Sequence, residues 1–157
     1  MAYTIGGLNI GVTDYWFNAM PAGADPEGRY FKYDAHGTNH VFEANIGYDF
    51  GPLSLQWFTN FAGNDGTNKD GKRAYSSYME VVVPFKLSAI EWTATAGAVP
   101  STSPQYGTNG FAVTNVALKA TKDIKVTDTF SVPIFAQVAA NPCSQKAYLV
   151  FGFTLQP

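Results

Sequence analysis

NIGYDFGPLSLQWF, residues 45–58, decides how the whole chain is read, because its apolar and polar residues alternate on both sides of a Gly-Pro pair. Folding the stretch at Gly51-Pro52 as a two-residue turn sets Phe50 opposite Leu53, Tyr48 opposite Leu55 and Ile46 opposite Trp57. The large apolar residues of these pairs then land on one face. The other face pairs Asp49 with Ser54, Gly47 with Gln56 and, further out, Glu43 with Asn60. One register sorts both strands, as expected of a hairpin with two chemically different sides. Gly-Pro is not among the favoured hairpin pairs, so the face-sorting carries more weight than the turn type.

The same period of two recurs outward from this hairpin, in runs at about 8–17, 40–50, 53–62, 74–85, 89–99, 111–121, 129–139 and 146–156. These make eight strands of the length a tilted membrane strand needs, and no segment has a helical period. One face reads Leu8, Ile10, Val12, then Phe42, Ala44, Ile46, then Leu55, Trp57, Phe61, and continues through Met79, Val81, Val83 to Leu149, Phe151, Phe153. The opposite face carries Asn9, Thr13, Glu43, Asn45, Gln56, Asn60, Glu80, Glu91, Lys119 and Gln137. Asp14 falls on the apolar parity, and Pro84 and Pro133 fall inside strands, which predicts bulges or shifted strand ends there.

The connections alternate between long and short. Long ones fall at about 18–39, 63–73, 100–110 and 140–145; short ones fall at Gly6-Gly7, Gly51-Pro52, Lys86-Leu87-Ser88 and around Lys122 to Thr127. In an up-and-down barrel, alternate connections lie at opposite ends, which separates short turns from long loops as in outer-membrane barrels. Aromatics gather near strand ends at Tyr15, Trp16, Phe17, Tyr48, Phe50, Phe58, Phe61, Tyr75, Tyr78 and Phe85. Rings at those levels suit a headgroup zone. The competing reading is a soluble barrel or sandwich, but an eight-stranded interior has little room for Trp57, Trp92 and twelve Phe.

Composition agrees with this class. The 157 residues fit a single domain, 1–157, and a net charge of −2 gives no reason to expect nucleic acid. Hydrophobic residues make up 46% while mean hydropathy is −0.08, so apolar residues are diluted by polar ones rather than gathered into a membrane helix. The single Cys143 makes no internal disulfide. The opening MAYTIGGLNIG holds no charged-then-apolar leader, and the Gly6-Gly7 turn sets Ile5 opposite Leu8 and Tyr3 opposite Ile10. Residues 1–5 are therefore expected to be the end of an earlier strand whose upstream neighbours lie outside this chain.

The segments GVTDYWFN, HVFEANIGYDFGPLSLQWFTNFAGNDGTNKDGKRAYSSYMEV, GFAVTNVALKATKDIKVTDTFSVPIFAQ and the closing YLVFGFTL resemble a group of uncharacterised outer-membrane β-barrel proteins of Bacteroides-type bacteria, and more distantly the TorF-like porins. The similarity spans nearly the whole chain and includes no catalytic motif. It implies a Gram-negative outer-membrane location, a barrel with about four more N-terminal strands, and no particular solute. The closing strand, with Phe151, Phe153 and Leu155 alternating, resembles the signal read by the barrel assembly machinery, though it ends Leu-Gln-Pro rather than on an aromatic.

The expected fold is thus an all-β, antiparallel up-and-down transmembrane β-barrel, with eight strands here and about twelve in a longer parent. Glu43, Asn45, Gln56, Asn60, Glu80, Glu91 and Lys119 are the candidate lumen-lining residues. Two roles compete for their charges: an internal ion network that holds register, read first, and a selectivity lining. Pairing about Leu87 sets Glu80 opposite Thr95 and Glu91 opposite Pro84. His36 and His40 lie four apart in YDAHGTNH, but as loop running into strand and without a third ligand they are weak metal candidates. NDGTNKDGKR lacks the spacing and terminal Glu of a calcium loop.

No catalytic motif and no cofactor site is legible, so no enzyme activity is expected. Function is read as passive passage of small polar solutes across the outer membrane, with lipid as the partner of the apolar face. The alternatives are a non-conducting barrel presenting its loops, a soluble ligand-binding barrel, and a membrane enzyme. Oligomeric state is not legible.

Overall fold

The computed structural model describes residues 1–17, 25–35 and 37–155. The described residues contain no helix, and one sheet dominates. Its strands are β1 (Ala2–Ile5), β2 (Leu8–Trp16), β3 (His40–Asp49), β4 (Ser54–Gly63), β5 (Ser77–Leu87), β6 (Ile90–Val99), β9 (Ala112–Lys125), β10 (Ser131–Asn141) and β11 (Lys146–Phe153). They pair in chain order, every pair antiparallel. The short β7 (Thr102–Ser103) and β8 (Thr108–Asn109) form a separate hairpin inside the β6–β9 connection.

The sheet has nine strands where the sequence predicts eight, because residues 2–5 pair fully with β2 and count as a strand. It is not closed into a barrel: among the described residues no pairing joins β1 to β11. The hairpin of residues 45–58 forms in the expected register, with Ile46 against Trp57, Tyr48 against Leu55 and Glu43 against Asn60. The register of β5 with β6 differs by two residues, since the turn is Ser88-Ala89 rather than Lys86-Leu87-Ser88. Ser88 adopts a left-handed φ of 58°, which lets Leu87 pair with Ile90. Glu80 therefore faces Gly97, and Glu91 faces Lys86. A shift of two keeps each side chain on its predicted face.

The two prolines sit where a neighbouring strand has run out, which makes bulges unnecessary. Pairing of β5 with β4 stops at Val82, before Pro84. The Pro133 carbonyl accepts from Thr154 N at 2.9 Å just beyond the last β10–β11 pair, so the missing N–H faces a strand end. The bulges fall elsewhere, between Phe42 and Glu43 and between Gly97 and Ala98.

Successive hairpins are displaced along the strands. The hydrogen-bonded row Leu8–Tyr48–Leu55–Val81–Ala96–Val116 begins one residue from the Gly6-Gly7 turn, but Val81 lies seven residues from Ser88 and Val116 ten from Val126. At the opposite end lie the connections 17–39, 64–76 and 100–111, while the fourth, 142–145, is as short as the turns. Among the described residues no helix is long and apolar enough to cross a membrane.

Burial is inverted relative to a water-soluble domain. Among the described residues only Val41, Ala74, Ala98 and Val99 are buried hydrophobics, and all four lie toward the long-loop end. The buried polar set is longer and includes Asp25, Asn39, His40, Asn60, Asp65, Ser76 and Ser103. Leu55, Trp57 and Leu118 on the apolar face remain 41–44% exposed.

Candidate functional site

Antiparallel pairing places the polar side chains of neighbouring strands on one face, and one row there reads Asn9, Gly47, Gln56, Glu80, Gly97, Asn115. Gln56 and Glu80 are thus direct neighbours. Tyr78 Oη donates to Glu80 Oε2 at 2.6 Å, and Asn115 Nδ2 reaches Tyr78 Oη at 3.2 Å and Glu80 Oε2 at 3.4 Å. On β3, Glu43 Oε1 accepts from Tyr15 Oη at 3.2 Å, and Asn45 Nδ2 donates to Asn9 Oδ1 at 3.3 Å. Asn60 Nδ2 donates to Asp65 Oδ1 at 2.9 Å and also to Gln105 Oε1.

Glu91 and Lys119 stand apart from that group. Glu91 is exposed near the Ser88-Ala89 turn, across from Lys86 and Thr121. The Lys119 ammonium lies 4.4 Å from the centre of the Phe135 ring. Among the described residues no ion pair joins Glu43, Glu80, Glu91 or Lys119. The expected internal ion network is therefore not what holds this face. Its two central carboxylates are held by phenol hydroxyls, with the Asn115 amide beside Glu80, a neutral partnering that satisfies a half-buried charge without cancelling it.

Three of the aromatics expected in an outward belt lie on this polar face. Tyr15, Phe58 and Tyr78 share the parity of Glu43, Asn45 and Glu80, with Phe58 and Tyr78 rings 6.1 Å apart. Period-two reading assigns them to this face; their nearness to strand ends had suggested otherwise.

The long-loop end is packed by polar contacts. Asp25 Oδ2 accepts from Arg29 Nε at 2.9 Å and its Oδ1 from Arg29 Nη2 at 3.1 Å, while Asp25 N donates to Asn39 Oδ1 at 2.9 Å. The Arg29 guanidinium hydrogen-bonded to it holds the Asp25 carboxyl well below the usual carboxylate range, against the opposing effect of burial. Asp65 Oδ2 accepts from Ser76 N at 2.7 Å, and Ser103 Oγ donates to Ser76 Oγ at 2.7 Å, locking the 64–76 and 101–109 connections together. From that junction Tyr106 reaches the polar face, its ring 5.9 Å from that of Tyr78. Burial, with the charges of Glu43, Tyr15 and Asp65, pushes the Tyr106 hydroxyl up to about 12.

Asp14, the apparent misfit on the apolar face, has a partner. His40 is fully buried, with Nδ1 2.7 Å from Asp14 Oδ1 and Nε2 2.5 Å from the Tyr30 carbonyl. Both ring nitrogens therefore face oxygen atoms of neighbouring groups. Tyr33 stacks on the ring at 4.5 Å and Phe42 at 5.9 Å. His40 has no nitrogen left for a metal, and His36 lies outside the described residues. The 64–73 stretch is a tight turn in which Asn68 Oδ1 accepts from Asp70 N and Lys72 N at 3.0 and 3.1 Å.

No family model, curated protein or solved structure matches the chain.

Proposed function

We propose that this chain is the greater part of an outer-membrane β-barrel that lets small polar solutes pass, its apolar face against lipid and its polar face lining the path. The observation that carries this reading is the inverted burial: four buried hydrophobics among the described residues, beside a whole sheet face of exposed Ile, Leu, Val, Phe and Trp. A chain of this length dissolved in water would bury that face. On it, Trp16, Phe42 and Phe61 stand toward the loops, Tyr48, Phe50, Phe85 and Phe153 toward the turns, and Ala44, Ile46, Val81, Val116 and Leu118 between them. Aromatic girdles around an aliphatic band match a bilayer section. Charges on this parity are Asp14 and Lys122, both toward the ends.

The register supports the same reading. If the short turns share one level, a stagger of about nine residues across five strand spacings tilts the strands by about 50°, near the roughly 35–45° of outer-membrane strands. Closure follows from parity. With nine antiparallel strands, β1 and β11 run in the same direction, so joining them directly, or to a copy rotated about the barrel axis, makes a parallel seam. An antiparallel seam takes an odd number of further strands, and three would give about twelve, enough for a narrow aqueous path. The resemblance to outer-membrane barrels of Bacteroides-type bacteria points to the same larger barrel, with the assembly machinery as its partner. Glu43, Asn60 and Glu80 then line the path's loop half, with Asn45, Gln56 and Lys119 lower and Glu91 beside the Ser88-Ala89 turn.

A second reading, a non-conducting barrel that presents its loops, draws on the packed loop end, where Thr38, Asn39, Ser103 and Thr108 are buried. Electrophoretic mobility of the detergent-refolded chain, with and without boiling, tests the membrane barrel, beside solubility in detergent-free buffer. A heat-dependent shift with no soluble fraction is expected. A soluble, monodisperse β protein would overturn both readings.

A further inference from the structure

The polar face carries a pattern of its own at four glycines. Asn45 lies over Gly11, Gln56 over Gly47, Tyr78 over Gly97 and Phe135 over Gly152, each close enough that a Cβ on the glycine would stand within 3.0 Å of the side chain. Three of these are direct cross-strand partners, and Tyr78 reaches Gly97 diagonally past Glu80. Where the neighbouring strand has no side chain, a long residue lies down along the wall instead of standing off it. The wall is thereby thinned along a face that would otherwise fill with side chains.

One loop side chain works against that thinning. Tyr106 stands on Tyr78 at an interplanar angle of 21°, so Gly97, Tyr78 and Tyr106 form successive layers inward from the wall. Its hairpin is fixed from several sides. Ser103 is fully buried and bonded to Ser76, Gln105 accepts from Asn60, and Lys69 Nζ donates to the Asn109 carbonyl at 3.1 Å.

We propose that Tyr106 sets the bore of the path: the Thr102–Asn109 hairpin is a fixed constriction that admits small hydrogen-bonding solutes, neutral or cationic, and disfavours anions. This rests on the pore reading given above. The charge preference follows from the neighbours. Glu80 is bonded to the hydroxyl of Tyr78, on which Tyr106 stacks, and Glu43 to that of Tyr15; both accept from neutral groups, and Lys119 lies four residues along β9 from Asn115 over the Phe135 ring. A solute at this level meets phenol rings, an amide and uncancelled carboxylates.

The test is single-channel conductance and reversal potential, in planar bilayers with potassium chloride as the probe, of the closed barrel, meaning this chain together with the strands that complete its seam. Tyr106→Ala is expected to raise conductance by about twofold, Tyr106→Trp to lower it, and Tyr106→Phe to leave it unchanged, because the ring and not the hydroxyl narrows the path. Glu80→Gln is expected to reduce the preference for potassium over chloride. Heat-dependent mobility of each variant checks folding; if Tyr106→Ala misfolds, Tyr106→Trp decides. Wild-type channels with unchanged conductance in both size variants would overturn the constriction while leaving the pore. A closed wild-type barrel that inserts but never conducts would overturn the pore, and the constriction with it.

Discussion

On the apolar face of the sheet, Ile46, Leu55, Trp57 and Leu118 stand two-fifths exposed or more, with nothing of this chain laid over them. On the polar face, Asn60 is buried, Tyr78, Glu80 and Asn115 are half-buried, and Tyr106 is folded over them. The two faces belong to the same residues in alternation, so neither differs in backbone or in strand pairing from the other. What differs is which face the protein covers for itself. A water-soluble sheet covers its apolar face and leaves polar groups to solvent; this one satisfies its polar groups internally and leaves apolar surface to be covered from outside. The loops follow the same rule, spending their buried groups on Asp25, Asp65, Ser76 and Ser103.

Adjacent residues on β9 give the sharpest way to break this contrast. Leu118→Arg places a charge in the middle of the apolar face and is expected to cost about 2–4 kcal/mol in lipid vesicles, whereas Lys119→Gln on the other face costs less than about 1 kcal/mol. Denaturant titration of vesicle-folded protein measures both, and equal costs would remove the distinction between faces.

A smaller effect is expected at the one place where the apolar face carries a partnered acid. Asp14→Ala leaves Nδ1 of buried His40 without its partner, at about 1–3 kcal/mol by the same titration. An unchanged midpoint would mean that the pair is incidental.

The smallest expected effect is local and lies in the loops. Asp25 is held below the ordinary carboxylate range, so its contribution is complete above its unfolded pKa of about 3.9 and is lost only as pH falls through its lower folded value. Hydrogen exchange of residues 25–35 should stay slow down to about pH 4 and rise below it. Asp25→Asn should raise it already at neutral pH. Release of the loop near pH 6 would contradict the assignment.

How much of this was legible depends on the distance over which residues must cooperate. The 45–58 hairpin was readable because six residues on either side of one turn sort by period two and leave one register. Faces survived even where register failed, at β5–β6, because Ser88 carries no sequence mark of a left-handed turn residue and the error was an even number. The stretch from Lys122 read as a turn, yet β9 continues to Lys125, where strand pairing outweighs local composition. Glu43, Gln56 and Glu80 were legible as polar-face positions. Their partners across strands were not, since Tyr15 and Asn115 come from other strands, and Tyr106 arrives from a loop whose path no periodicity encodes. Asp14 looked like an error for the same reason: its partner His40 is 26 residues away.

Trp57 allows the central claim to be tested on one residue, because it lies between the two aromatic levels of the apolar face, beside Ile46 and Met79. In a Trp16→Phe, Trp92→Phe background, its fluorescence should be quenched by lipids brominated near the acyl-chain ends more than by lipids brominated near the headgroup, and barely by aqueous acrylamide. Strong acrylamide quenching with no response to brominated lipid would contradict a lipid-facing sheet.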